Sequence, residues 1–316
     1  MVKAVIDIGT VSIKFCVAEE HPEKIFEVIK DENDIKKLGS GLKKTGKISM
    51  PSLERNAVSV AEFVKQARDL GSDEIVIVGT MALRSADNRA DFIKRVKELT
   101  GLDVNVLSGE EEADISFVAV RYGVTGAMEK DFVMLDTGGG SSEFVFSEKG
   151  TLKRKLSINV GAIRITEQYF LKTPVTGEIL AMAGAEIRRE LVGSGVVKGP
   201  DFMIGIGGNV TSMAAVKHKM AVYDPGIIHC SELTLSDIKS QIETFASMTL
   251  NERMNIVGLQ PDRADVILAG ACIVREAMEI CGATELTVSD YGLRHGVMYT
   301  LFGGNGNKGR SWYLDH

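Results

Sequence analysis

The chain has 316 residues, 44% of them hydrophobic and 25% charged, with a formal net charge of −6. That length exceeds a typical single domain and suits two domains of about 120 to 180 residues, each with enough apolar content for its own core. The acidic balance excludes a nucleic-acid surface dominated by phosphate contacts, which carries a basic patch, but not a phosphate ester held by backbone N–H groups and a cation.

Four cysteines, Cys16, Cys230, Cys272 and Cys281, show no C-x-x-C spacing and read as reduced thiols. Met1 to Cys16 places Asp7 inside its apolar run and so does not read as a signal peptide. The longest uncharged windows, such as Phe202 to Val216, are broken by glycine and polar residues and do not read as membrane spans. The expectation is a cytoplasmic protein with neither a membrane nor a nucleic-acid partner.

Ala4 to Val17, AVIDIGTVSIKFCV, reads as strand, Asp7, glycine turn and return strand, with Thr10 and Ser12 in or beside the turn. Glu20 to Lys30 reads as a third strand region. Leu38 to Met50 is a loop whose Lys43, Lys44 and Lys47 form a solvated face or an electropositive arm. A helix starts at Pro51 and Ser52, carries Leu53, Ala57, Val60, Val64, Ala67 and Leu70 at helical spacing, and ends at Gly71. Glu74 to Val78 is a short strand. Gly79 to Arg89 reads as a polar loop, with Arg84 at the strand edge where ligands bind in α/β folds. A helix from Ala90 to Thr100 has Phe92, Val96 and Leu99 on one face, and Val104 to Leu107 is a strand.

Ser108 and Glu111 have the S-x-x-E spacing of a capping box opening a helix that runs to Tyr122. Glu112 lies about 100° further round, above the small residues Ser116 and Ala119, with room for its carboxylate to act as a base. Gly123 to Lys130 is a glycine-containing connector. Beyond it, Phe132 to Phe146, FVMLDTGGGSSEFVF, places Asp136 at a strand end, Gly138, Gly139, Gly140 and Ser141 in a turn, and Glu143 at the start of the return strand. Three glycines let a turn expose successive N–H groups to an anion, and a carboxylate at the strand end suits Mg²⁺.

Asp, Gly and Ser are also ordinary turn residues, but the plan occurs twice. Asp7 and Asp136, Gly9 and Gly138, Ser12 and Ser141, and Phe15 and Phe144 are each separated by 129 positions. The duplication predicts two similar lobes facing each other across a cleft, with one carboxylate on each side and a shared metal ion.

Leu156 to Ile158 reads as a strand, and Gly161 to Phe170 and Glu178 to Leu191 as helices. Phe202 to Thr211, with Gly207, Gly208 and Asn209, reads as a strand entering a second backbone cradle. Asp237 to Phe245 and Arg263 to Ile280 are helical by pattern, and Pro261 predicts that Arg263 sits at a helix N-terminus as an anion contact. Glu285 to Val288 is a strand, followed by a helix capped by Ser289 or Asp290. His295 reads as an exposed helix residue, because no second histidine shares its segment. The Gly/Asn-rich tail after Gly303 reads as loosely held.

The segments AVIDIGTVSIK, LGSGLKKTGKIS, GTMALRSADN, LSGEEEA, VMLDTGGGSSE, GIGGNVTS, LQPDRADVILAG and SDYGLRHGV occur in an order that resembles the exopolyphosphatase and guanosine-pentaphosphate phosphohydrolase family of the actin, Hsp70 and sugar-kinase superfamily. The resemblance implies an α/β fold of two ribonuclease-H-like (actin-like ATPase) lobes with a ligand cleft. The first lobe is residues 1–124 with 290–316 returning to it, and the second is residues 125–289. It implies Glu112 as general base, Glu143 as a carboxylate holding the attacking water, and Asp7 and Asp136 as metal ligands. It further implies phosphate contacts from Thr10, Ser12, Arg84, Gly138 to Ser141, Gly207, Gly208, Asn209 and Arg263.

The implied activity is removal of terminal phosphate from polyphosphate or guanosine pentaphosphate with Mg²⁺, Mn²⁺ being the alternative metal, and the candidate assembly is a homodimer. Val11 departs from the family's usual polar residue, Asn209 from a small one and His295 from glutamate, and the C-terminal extension of longer members is absent. Two alternatives stay open: a non-catalytic sensor of guanosine polyphosphates, and an ATP-dependent kinase of the same superfamily.

Overall fold

Nearly continuous apolar runs, such as Ala4 to Ile6 and Phe132 to Leu135, are what strands need when a sheet is covered on both faces. The computed structural model describes residues 1–23, 25–200 and 202–303, so the tail after Gly303 lies outside the described residues. The chain divides into two compact units, Met1–Ala119 with Leu293–His316, and Val120–Gly292.

In the first unit, β1 (Val2–Ile8), β2 (Ser12–Glu20) and β3 (Phe26–Ile35) form an antiparallel meander. β4 (Glu74–Gly79) and β5 (Val104–Val106) extend it in parallel, giving the order β3-β2-β1-β4-β5. Alternate residues of a strand point to opposite faces. Ala4, Ile6 and Ile8 therefore join one core with Leu53, Ala57, Val60 and Val64 of helix Met50–Asp69 and with Phe92 and Val96 of helix Arg89–Thr100. Val5 and Cys16 join the other core, with Val297, Met298 and Leu301 of helix Leu293–Phe302.

The second unit repeats the plan with β6 (Phe132–Thr137), β7 (Ser142–Glu148) and β8 (Thr151–Ile158) antiparallel and β9 (Met203–Ile206) parallel to β6. β11 (Glu285–Val288) pairs in parallel with β9, and the short β10 (Glu232–Thr234) closes the edge. Helix Ile267–Cys281 is buried over most of its circumference, as its nearly all-apolar sequence requires. Each unit is ribonuclease-H-like, and the chain is α/β.

Several local expectations change. Gly79 to Arg89 contains a helix, Met81–Ser85, because Ala82 and Leu83 bury an apolar face too short to show a period. Leu99 is 38% exposed, and the buried neighbour is Thr100, whose hydroxyl donates to Val96 O at 2.8 Å. β3 runs on to Ile35 although its outer residues are polar, since Ser12 to Glu20 offers it a complete ladder.

Arg263 lies in a 3-10 turn, Pro261–Arg263, and the following helix starts only at Ile267. The last helix begins at Leu293, beyond Ser289 and Asp290. Ser289 Oγ instead accepts from Tyr291 N at 3.1 Å, and Asp290 accepts from the Tyr223 hydroxyl. His295 is 1% exposed and packs against Asp31. Its burial follows from long-range pairing with β3, which a search for a second histidine in its own segment does not detect.

Candidate functional site

In the second unit, six predicted features converge on the β6–β7 turn. Register makes Asp136 and Glu143 direct cross-strand partners, so both carboxylates project from the same face of the hairpin. Glu143 is 1% exposed and accepts a hydrogen bond from Ser157 Oγ at 2.9 Å. Asp136 rests against Gly207, whose φ of 87° and missing Cβ leave room for the carboxylate.

Gly138 N donates to Ser141 O at 2.9 Å and closes the turn. Helix Ala162–Tyr169 abuts it, with Ala162 N on Gly138 O at 3.0 Å and Ile163 N on Gly139 O at 2.8 Å. Gly161 must be glycine, because a Cβ would overlap the backbone of Gly139 and Gly140. Ser142 Oγ, which faces Thr137, donates to Val160 O at 2.7 Å and ties the turn to the same helix entrance.

Helix Gly208–Lys217 opens beside Asp136 and directs its N-terminal N–H groups to the same region. Arg263 is buried and lies in the space that a side chain at Gly208 would occupy, while its Nε donates to Gln260 Oε1 at 3.2 Å. Burial, the largest influence, lowers its pKa to about 10 against the opposing pull of Tyr223 and Asp265, so it stays cationic at neutral pH. Arg263 thus meets a helix N-terminus as expected, but of a different helix from the one that follows it in sequence. The Asn209 side chain, 3% exposed, turns inward and donates to Thr137 O at 2.8 Å.

In the first unit the equivalent turn, Gly9 to Ser12, is closed by Gly9 N on Ser12 O at 2.9 Å. Thr10 and Ser12 are both buried beside it. Asp7 is the penultimate residue of β1, and its Oδ2 lies 3.9 Å from Nζ of Lys14, its cross-strand partner. Asp7 Oδ1 is buried and accepts no hydrogen bond among the described residues. Burial, the largest influence, raises the Asp7 pKa, and Lys14 and then Arg294 offset part of that.

The capping box forms, with Ser108 N on Glu111 Oε2 at 2.7 Å and Glu111 N on Ser108 Oγ at 3.2 Å. Glu112, one position on, is 9% exposed and pairs with Arg84 at 3.3 Å. Arg84 is held in turn by Leu107 O at 2.7 Å.

The paired carboxylates of Asp136 and Glu143 in the second unit are oxygen donors of the kind a hard divalent cation takes, and so, in the first unit, is Asp7 Oδ1. Among the described residues, Cys16, Asp31 and His295 also bring donor atoms within 4.8 Å of one another. Both Asp31 oxygens there are engaged by Arg294 at 2.8 Å, so the group reads as a buried ion-pair network. Ser157 and Thr80 escape sequence reasoning. Ser157 matters because it is paired with Glu143 across β7–β8, and Thr80 because it donates to Ile8 O. Neither register is visible in a local motif.

The family model described as the Ppx/GppA phosphatase family matches residues 16–303. A bifunctional 3-dehydroquinate synthase/phosphatase of Fusobacterium nucleatum is 32% identical over 91% of this chain, which spans only 45% of that protein. Exopolyphosphatase 2 of Mycobacterium tuberculosis is 28% identical, with 95% of this chain and 98% of that one covered. The crystal structure of the Aquifex aeolicus Ppx/GppA family member superposes with a TM-score of 0.82 at 32% identity, covering 97% of this chain and 99% of that one.

Proposed function

Because this chain belongs to the Ppx/GppA phosphatase family, we propose that it hydrolyses the terminal phosphoanhydride of inorganic polyphosphate or guanosine pentaphosphate, using Mg²⁺ or Mn²⁺. The family in general requires a divalent metal. The observation that best supports the reading is the Asp136–Glu143 carboxylate pair beside a turn whose carbonyls are bonded inward. That combination offers N–H groups to phosphate oxygens and carboxylates to a cation.

In this reading Asp7 and Asp136 hold the metal, which when bound offsets the charge on phosphate oxygens. The turn Gly138 to Ser141, the Gly207–Gly208 helix N-terminus and Arg263 bind those oxygens, as do Thr10 and Ser12 of the other turn. Glu112 accepts a proton from water, whose oxygen bonds to the terminal phosphorus, and Glu143 helps orient that water. The bridging P–O bond breaks and its electron pair leaves with the shortened chain. Arg84 fixes the Glu112 carboxylate.

Phosphate release from short polyphosphate, long polyphosphate, guanosine pentaphosphate and ATP, each with Mg²⁺ and with Mn²⁺, tests the proposal. Release from polyphosphate or guanosine pentaphosphate is expected, falling by about 10² to 10⁴ in Glu112→Gln with binding retained. Near-normal turnover in that variant would remove Glu112 from the role of base.

A further inference from the structure

The β6–β7 turn shows how its N–H groups are aimed. In a trans peptide the C=O and the next residue's N–H point in opposite directions, so drawing a carbonyl into the protein turns the following N–H outward. Three successive carbonyls are drawn inward; of the N–H groups that follow them, Gly138 N–H closes the turn on Ser141 O and those of Gly139 and Gly140 are turned outward. Asn209 Nδ2 donates to Thr137 O at 2.8 Å and reaches Gly138 O at 3.5 Å, while the N-terminal N–H groups of helix Ala162–Tyr169 take Gly138 O and Gly139 O. No protein acceptor takes the N–H of Gly139 or Gly140 among the described residues.

The other unit repeats the device with different residues. Ile8 O, 129 positions before Thr137, accepts from Thr80 N at 3.1 Å and faces its hydroxyl at 3.5 Å. Thr10 O, the counterpart of Gly139 O, accepts from Gly39 N at 3.0 Å. Thr80 and Asn209 each follow a strand that pairs in parallel with the first strand of its hairpin, β4 with β1 and β9 with β6. The equivalent carbonyl is thus held just after the parallel-paired strand in both units, by the Thr80 main-chain N–H in one and by the Asn209 side-chain amide in the other.

We propose that Asn209 is a positioning residue, whose side chain anchors the start of the turn by holding the Thr137 carbonyl, and with it the Gly138 N–H that closes the turn on Ser141 O, so that the Gly139 and Gly140 N–H groups stay aimed outward, and which does not itself bind phosphate. The inference rests on the phosphohydrolase reading above. Burial of Asn209 supports it, as does the absence of a Cβ at Gly270, whose place the Asn209 side chain fills.

The test compares Asn209→Ala with Asn209→Asp, which keeps the shape but, when ionised, has no donor. Steady-state kinetics on the substrate that wild type hydrolyses should show KM raised about tenfold in both variants with kcat nearly unchanged, the pattern for loss of uniform binding. Amide exchange without substrate should quicken at Gly138, whose N–H is held by Ser141 O, while Phe132 to Leu135 stays protected and reports an intact sheet. Wild-type KM and exchange in Asn209→Asp would show that shape rather than donation matters and would overturn the proposal, as would unchanged values in Asn209→Ala. If wild type releases phosphate from no substrate, the functional reading fails, and the exchange measurement still decides whether Asn209 sets the turn.

Discussion

Asp136 and Glu143 face each other across the β6–β7 ladder at the place where β1–β2 pairs Asp7 with Lys14. One copy of the duplicated hairpin therefore carries its own cation and the other opposes two carboxylates. Like charges directly opposite destabilise a sheet, and here one of the two is almost fully buried. A bound divalent cation would offset that repulsion. Glu143→Gln should raise stability in chelator by about 1 kcal/mol while lowering turnover at least about 10²-fold. Thermal unfolding in EDTA beside phosphate-release assays checks both halves, and a lower midpoint in EDTA would refute the repulsion.

Asp7 gives a pH test with the opposite sign from most carboxylates. Its folded pKa is raised above the ordinary 3.8, so the folded state binds more protons than the unfolded one as pH rises through that interval. Stability then falls with rising pH across the window between 3.8 and the raised value, and the full penalty persists at neutrality. Asp7→Asn should unfold at a higher temperature than wild type at pH 7, with the difference vanishing well below pH 3.8. Added Mg²⁺ should stabilise wild type more than the variant. Denaturation scans across pH, with and without metal, measure both effects.

Arg84 and Glu112 form one functional unit if the ion pair orients the base. Glu112→Gln and Arg84→Ala should each lower kcat/KM, and the double variant should lose less than the product of the two losses, because residues in contact couple by about 0.5 to 3 kcal/mol. A complete double-mutant cycle on phosphate release measures this. Strict additivity would mean that Arg84 acts independently of Glu112.

The hairpins were legible because their information is local: a strand, a carboxylate and glycines recur at a fixed offset. The capping box at Ser108 and Glu111 was legible for the same reason. What escaped depends on register and on contacts distant in sequence. Ser157 reaches Glu143 only because β8 pairs with β7 as it does, and Arg263 meets the N-terminus of a helix that begins 55 residues earlier, at Gly208. The place of Asn209 after two glycines reads as a phosphate loop, and what that place does not show is that the side-chain amide donates to the Thr137 carbonyl of the hairpin. The short helix holding Arg84 has too few residues to display a period.

His295 illustrates a departure that the fold accommodates. Its Nε2 lies 3.1 Å from Asp31 Oδ2, and Arg294 binds both Asp31 oxygens at 2.8 Å. Burial, the largest single influence on Asp31, raises its pKa, but Arg294 and His295 together outweigh it and hold the carboxyl well below the ordinary 3.8. A depressed carboxylate contributes stability above the unfolded value and loses it as pH falls toward the folded one. Asp31→Asn should therefore cost about 3 kcal/mol at pH 7, where it leaves Arg294 and His295 without their shared carboxylate, and progressively less below pH 3.8. His295→Glu places a second carboxylate against Asp31 and should also destabilise. Combined with Asp31→Asn it should recover part of the loss, because the new glutamate can take over Arg294. Unfolding midpoints of the two single variants and the double variant test the charge pattern, and a double variant no more stable than the worse single one would reject it.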